Sequence, residues 1–304
     1  MHETIDRPPR LPPRPRDGHK GTFGSVGILG GSAGDDPRMI GAPALAALGA
    51  ARSGCGLVRI AAPAPVLDAV LTVAPFATGM PFPVSADGSI DPTGSVQQVD
   101  ALVGSCDALA VGMGVGRSPG VDAVVLRAVL QEARPCVLDA DAINTLCAIP
   151  AFWEDCRADL VLTPHPGEAR RMLDALAMRD AGNPAGTPDE RVSVCIGISR
   201  RLGCVVVLKG SGSIVSDGLQ AWTCTAGGPA LGAGGTGDVL AGVIAGLVAQ
   251  HGRDIGLYEC ARAGVEAHAH AGDAWQQRHR ATGGMTPSDL AGLIPGEVER
   301  LRRS

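Results

Sequence analysis

Short β-branched or apolar runs at residues 25–29, 57–61, 108–111, 136–138, 160–162 and 204–208 punctuate the chain, with helix-length stretches between them. A strand that is apolar at every position, not at alternate ones, must be covered on both faces, and such strands belong to a parallel sheet sandwiched by helices. Strands alternating with helices build βαβ units. Two further runs, 213–216 and 220–224, flank Asp217-Gly218, a turn dipeptide that predicts an antiparallel hairpin near the sheet edge. Helices are expected at 41–53, 121–131, 142–147, 167–176, 189–202, 236–250, 257–276 and 287–302, so that after Asp238 the chain is all helix. The fold class is therefore α/β, a central and mostly parallel sheet with helices on both faces.

At 304 residues the chain has room for a large core, and no internal repeat or long linker divides it after residue 20. We expect a single domain over 21–304, preceded by a flexible Pro/Arg-rich arm, MHETIDRPPRLPPRPRDGHK, at 1–20. That arm lacks the apolar core of a secretory signal, and the longest apolar run, 239–249, is far short of the roughly 20 residues that span a bilayer. A net charge of −5 and 3% aromatic residues argue against a surface for polymeric nucleic acid, which needs basic patches and stacking rings. A small phosphorylated ligand is still compatible, because backbone N–H groups and one lysine can hold phosphate in an acidic protein. Nine cysteines without a CxxC pair, mostly inside apolar runs, read as reduced core residues in a cytoplasmic protein.

The segment GGPALGAGGTGDVLAGVIAGLVAQ, 227–250, runs a glycine-dense loop through Asp238 into an apolar helix. Glycines 232, 234, 235 and 237 let the backbone approach a ligand closely, and the helix start offers unpaired N–H groups to an anion such as phosphate. Asp238 stands where a carboxylate caps a helix, or where a general base faces the group attached to that phosphate. GAGGTG at 232–237 also fits the dinucleotide fingerprint G-x-G-x-x-G, but that motif opens the first βαβ unit of a domain, and here mainly helix follows. No G-x-x-x-x-G-K-[ST] occurs.

Other candidates sit at strand exits, the edge where open α/β sheets bind ligands. Lys209, Gly210, Ser211, Gly212 and Ser213 place a lysine and a flexible loop after a buried strand, suited to a nucleotide phosphate or simply to a surface turn. Thr163-Pro164-His165-Pro166-Gly167-Glu168 rigidifies His165, for substrate contact or as a capped turn. Asp139 and Asp141 face the cleft, reach magnesium through water, or cap the next helix. The glycine-rich exit at 111–116 suggests close approach by a ligand or a plain turn. Glu266, His268, His270 and Asp273 suggest a metal cluster only at first glance, since 268 and 270 point apart on a helix. No residue is named as a metal ligand.

Read together and in order, GSVGILGGS, MIGAPALAALGAARSGCGLVRIAAP, VGMGVGR, LDADAIN, LTPHPGEARRML, VVVLKGSGSIVSDG and GAGGTGDVLAGVIAGL resemble the ADP/ATP-dependent NAD(P)H-hydrate dehydratases, from about Lys20 to the C-terminus. The resemblance implies a ribokinase-like fold and repair of hydrated NADH or NADPH: ADP or ATP phosphorylates the ring hydroxyl, and phosphate then leaves to restore the dihydropyridine. It implies that Asp238 is the base, with the N–H groups of residues 234–237 stabilising the moving phosphoryl. The adenine nucleotide would meet Lys209, Gly210, Ser211, Gly212, Ser213 and Gly237, and the hydrated cofactor Ala42, Gly114, His165 and Asp238. It implies magnesium with the nucleotide, a homotetramer, and an epimerase on a separate protein. The chain departs from the family's usual Asn-Pro-Gly and Gly-Pro-Gly at Gly228-Pro229-Ala230 and Gly112-Met113-Gly114. Two other functions fit the same residues: a kinase of this fold acting on a pyrimidine, thiazole or sugar hydroxymethyl group, and a catalytically silent nucleotide sensor.

Overall fold

The protein is described by a computed structural model over residues 3–4, 8–34, 38–154 and 156–303. One ten-stranded sheet organises it. In chain order the strands are β1 (Glu3–Thr4), β2 (Ser25–Gly30), β3 (Leu57–Pro63), β4 (Thr78–Phe82), β5 (Ala108–Met113), β6 (Cys136–Leu138), β7 (Leu160–Leu162), β8 (Val205–Leu208), β9 (Ile214–Ser216) and β10 (Gln220–Thr223). Their spatial order is β1-β10-β9-β8-β7-β6-β5-β2-β3-β4. Only β9 runs antiparallel to its neighbours, which places the predicted hairpin beside the parallel strands. From β2 the chain first builds outward through β3 and β4, then returns to pair β5 on the other side of β2. The carboxyl ends of β2 and β5 thus form the switch point where such sheets open a crevice.

The helices are α1 (Gly41–Arg52), α2 (Ala64–Val73), α3 (Pro92–Ser105), α4 (Pro119–Leu130), α5 (Asp141–Ala148), α6 (Pro166–Ala175), α7 (Pro188–Leu202), α8 (Thr236–His279) and α9 (Pro287–Arg303). Alternate side chains of the continuous apolar strands feed two cores. Ala108, Ala110, Val137, Val161, Val205 and Val207 face α1, α8 and α9. Leu109, Val111, Leu138, Leu162, Val206 and Leu208 face the layer of α3 to α7. Helix α8 carries both of the last long predicted helices, joined at Gly256, where φ of 81° breaks the helical path. The strand β4 and the helices α2 and α3 were not apparent in the sequence pattern.

The smaller side chains on the α1/α8 face let those helices come close. A methyl group on Gly242 would overlap the Ala46 carbonyl, one on Gly49 the Val239 carbonyl, and one on Gly246 the Ser53 hydroxyl. Glycines that weaken an isolated helix here permit backbone-to-backbone contact. Six of the buried cysteines, at 106, 136, 195, 204, 224 and 260, are free thiols, and burial pushes those of Cys136 and Cys195 up to about 12.

The stretch expected to be a free arm behaves differently where it is described. Leu11 is buried and its N–H donates to the Leu301 carbonyl at 3.0 Å, while Arg14 lies over the Phe23 ring and donates to the Gly54 carbonyl at 2.7 Å. Leucine supplies apolar area and arginine a stacking plane, which a composition-based reading of Pro and Arg overlooks. Residues 1–2 and 5–7 of that arm lie outside the described residues. Among the described residues no helix is long and apolar enough to cross a membrane.

The helix contact yields a stability test. Gly242→Val should lower the Tm by about 5 °C or more through overpacking, whereas the solvent-side Gly104→Ala should leave it unchanged or higher. Calorimetry of the two variants checks this.

Candidate active site

Three adjacent strands deliver their next residue to the same edge of the sheet: Asp139 follows β6, Thr163 follows β7 and Lys209 follows β8. The Lys209 ammonium donates to Asp139 Oδ1 at 2.5 Å, and the Thr163 hydroxyl donates to the same oxygen at 2.8 Å. Asp139 is 2% exposed, and the ammonium and hydroxyl supply the hydrogen bonds that water would give an exposed carboxyl. The Lys209 N–H donates to the Pro164 carbonyl at 2.9 Å, tying the two loops beyond β7 and β8. Burial opposes the Lys209 charge, but Asp139, Glu168 and Asp238 together outweigh it and hold the ammonium above its usual range. Asp139 therefore does not cap the next helix, whose N-cap is Ala140: it is the counter-ion of Lys209. Asp141 accepts from the Gly116 N–H at 2.9 Å, securing the exit from β5.

The start of α8 is set against this pair. Its N-cap is Gly235, at φ of 93°, and no side chain caps it among the described residues. The Thr236 N–H donates to the Ala233 carbonyl at 3.4 Å, and the N–H groups of Gly237 and Asp238 stay available to an anion. A methyl on Gly237 would lie 3.5 Å from Lys209 Nζ and 3.8 Å from Asp139 Oδ2, so the helix start directly abuts both. Asp238 is the third helical residue, which removes the reading of it as the cap. Burial first, and the Asp139 charge second, push its carboxyl up to about 7 against the pull of Lys209. An acid with that affinity can accept or release a proton near neutral pH.

The glycine loop is clamped from behind by the second half of α8. Asp273 accepts from the Gly227 N–H at 2.9 Å and Gln276 from the Ala230 N–H at 3.2 Å. His268, pushed down to about 4 chiefly by burial, stands neutral, and its Nε2 donates to the Thr236 carbonyl at 2.9 Å. His270 meets Glu266 at 3.1 Å. Of the four residues resembling a metal cluster, His268 and Asp273 thus bond separate backbone groups while His270 and Glu266 bond each other, and among the described residues no group of three or more His, Cys, Asp or Glu is placed to hold a metal ion.

A cavity of about 640 Å³ opens beside this edge. Lys209, Gly210, Ser211, Ser213, Gly237 and His165 line it with the glycine loop, so most of the proposed nucleotide residues are brought together. Gly212, Asp238, Ala42 and Gly114 do not line it. Ala42 and Gly114 instead meet each other at the switch point, where a methyl on Gly114 would lie 3.2 Å from the Ala42 side chain. Gly237 lines the cavity at the helix start, and Asp238 follows it outside the lining, its charge acting on Lys209. His165 is also the N-cap of α6: its Nδ1 accepts from the Gly167 N–H at 2.9 Å, and Glu168 answers by accepting from the His165 N–H at 2.8 Å. The capped-turn reading of His165 therefore holds, with the ring still facing the cavity. Burial raises the Glu168 carboxyl, with Lys209 opposing.

This fold, with its site at the carboxyl edge, is the ribokinase-like one. A ribokinase-like superfamily protein of Enterococcus faecalis superposes with a TM-score of 0.76 at 21% identity, covering 97% of this chain and 93% of its own. The chain belongs to the NAD(P)H-hydrate dehydratase family, whose model matches residues 26–296. The structure of the ADP/ATP-dependent NAD(P)H-hydrate dehydratase of Bacillus subtilis, co-crystallised with ATP and magnesium, has a TM-score of 0.76 at 28% identity and covers 96% of this chain and 95% of that one. The ADP-dependent (S)-NAD(P)H-hydrate dehydratase of Neisseria meningitidis is 34% identical over 290 residues, 94% of this chain and 86% of the relative. The bifunctional NAD(P)H-hydrate repair enzyme of Coxiella burnetii is 36% identical over 266 residues, 87% of this chain and 48% of the relative. The chain spans about half the length of such bifunctional relatives.

The site's electrostatics predict a pH dependence. A base is active when ionised, so kcat/KM should rise as pH increases through about 7 and level off above it. Asp139→Asn removes a negative neighbour and releases Lys209 toward Asp238, and both effects shift that limb to lower pH. A pH–rate profile of the variant that keeps the limb in place would refute the coupling.

Proposed function

We propose that this protein dehydrates (S)-NAD(P)H hydrate, NADHX or NADPHX, back to NAD(P)H with ADP or ATP as co-substrate. The observation that carries the reading is the meeting, at one point of the sheet edge, of an uncapped helix start, a buried lysine and an acid raised to about 7. Family membership and the Neisseria and Bacillus relatives support the substrate and the nucleotide.

In this reading the nucleotide phosphates lie along Lys209, Gly210, Ser211, Gly212, Ser213 and Gly237, and the hydrated ring approaches from Ala42, Gly114 and His165. Asp238 takes the proton of the ring hydroxyl as its oxygen bonds to the terminal phosphorus, and the bond from that phosphorus to the leaving nucleotide breaks. The N–H groups of residues 234–237 and the Lys209 ammonium stabilise charge on the transferring group. Phosphate then departs with the ring C–O bond, a ring proton is lost, and the products are NAD(P)H, phosphate and AMP (or ADP). Phosphorylation converts a poor leaving group into a good one.

Magnesium would be carried on the nucleotide phosphates, and Asp141, which keeps one carboxylate oxygen beyond its bond to the Gly116 N–H, would be the residue to help hold it. When bound, it would neutralise phosphate charge. The same proposal places the protein in the cytoplasm, supported by its buried free thiols, as a homotetramer, supported by the family resemblance. A separate epimerase accompanies it, supported by the Neisseria relative that is named for the dehydratase activity alone.

The test is incubation with hydrated NADH, magnesium and ADP or ATP. Dihydropyridine absorbance and free phosphate should rise together, strictly with nucleotide. A stable phosphorylated alcohol would assign the small-molecule kinase instead, and binding without turnover the sensor. Asp238→Asn should lower kcat by about 100-fold or more with nucleotide affinity little changed. Lys209→Ala should raise the nucleotide KM by about tenfold or more, exceeding its effect on kcat.

A further inference from the structure

Resting on that nucleotide assignment, we propose that Arg191 is a positioning residue for the phosphate-binding loop, holding the Lys209 and Ser211 carbonyls so that the Gly210 N–H faces the cavity. Arg191 lies in the first turns of α7, whose start is fixed by a capping box between Thr187 and Glu190. Its Nη1 donates to the Ser211 carbonyl and its Nη2 to the Lys209 carbonyl at 3.4 Å. Those are alternate peptide units of the loop after β8, and every described peptide bond is trans.

In a trans peptide the C=O and the following N–H point in opposite directions. Fixing the carbonyls of Lys209 and Ser211 on the guanidinium therefore turns the N–H groups of Gly210 and Gly212 away from Arg191. Gly210 and Ser211 line the cavity on the side where Lys209 Nζ reaches Asp139. The backbone needed for this alternation has φ of 138° at Gly210 and 65° at Gly212, a region that favours glycine. A methyl on Gly210 would also lie 2.9 Å from Arg191 Nη2, so the glycine admits the guanidinium. The Ser213 hydroxyl donates to the Gly210 carbonyl at 3.1 Å, closing the remaining acceptor of the turn. Every carbonyl of residues 209–211 that would repel a phosphate oxygen is thereby engaged or turned aside by Arg191, Ser213 or the turn itself. The planar, forked guanidinium suits this task because it can address two acceptors at once, which an ammonium cannot do in the same geometry.

Steady-state kinetics of the full chain tests the assignment, with KM for ADP, ATP and hydrated NADH measured in Arg191→Ala, Arg191→Lys and, alongside, Lys209→Ala. We expect Arg191→Ala to raise the nucleotide KM by about tenfold or more, since hydrogen bonds to a charged group are being removed, while the hydrate KM stays within about twofold. Arg191→Lys should recover part of the loss, and so should guanidinium ion added to the alanine variant. An unchanged nucleotide KM in Arg191→Ala while Lys209→Ala raises it would overturn the role of Arg191 and leave the nucleotide site standing. Equal rises in both substrate KM values, unrescued by lysine or guanidinium, would assign a merely structural arginine. No change in either variant would overturn the nucleotide assignment and this inference with it.

Discussion

Helices α1 and α8 touch backbone to backbone through Gly49, Gly242 and Gly246, and the position of everything chemical follows from that contact. With no side chains to separate them, the two helices lie close on the same face of the sheet, and α8 has almost no freedom to slide or rotate. Its amino end is thereby driven to the carboxyl edge, against Asp139 and Lys209. A larger residue at any of these positions would force the two helices to shift. In the proposed reaction donors and base must be placed within fractions of an ångström, so this packing contact would also serve the chemistry.

The second constraint is electrostatic. Asp139, Lys209 and Asp238 share a small buried volume with one positive charge between two carboxyls. Lys209 can neutralise only one of them, and it takes Asp139 at 2.5 Å. Asp238 is left with burial and a negative neighbour, and its proton affinity rises to near neutrality. In the proposed reaction the arriving phosphates would give Lys209 a new anionic partner and Asp238 a hydroxyl to deprotonate. The nucleotide would thus reorganise the charges that set the base. Behind them, neutral His268, Asp273 and Gln276 hold the glycine loop by its backbone, so that its N–H groups are directed by atoms remote from the chemistry.

Much of this was written plainly in the sequence. Runs such as 108–111 and 205–208 are apolar at every position because helices cover both faces, and that pattern is local. The edge strand β4, with Gly79 and Pro81 and one covered face, carries no such pattern, and α2 and α3 were passed over with it although Asp91-Pro92 is a readable cap and first turn. Lys209, Gly237 and Asp238 could be singled out as strand-exit and helix-start residues. The Asp139–Lys209 pair spans 70 positions, and no spacing rule connects them. Glycines 242 and 246 read as flaws in a helix until α1 is seen against them. Leu11 and Arg14, in a segment whose composition suggests a free arm, are held by contacts with Leu301, Gly54 and Phe23 that only the tertiary structure supplies.

In the proposed reaction the substrate hydroxyl attacks phosphorus at the start of α8 and its oxygen leaves as part of phosphate. Hydrated NADH prepared with heavy oxygen in the ring hydroxyl, incubated with the enzyme and nucleotide, tests it through mass spectrometry of the released phosphate. The account predicts that the phosphate carries the heavy atom. Heavy oxygen appearing only in water, with phosphate holding oxygen from the solvent, would contradict it.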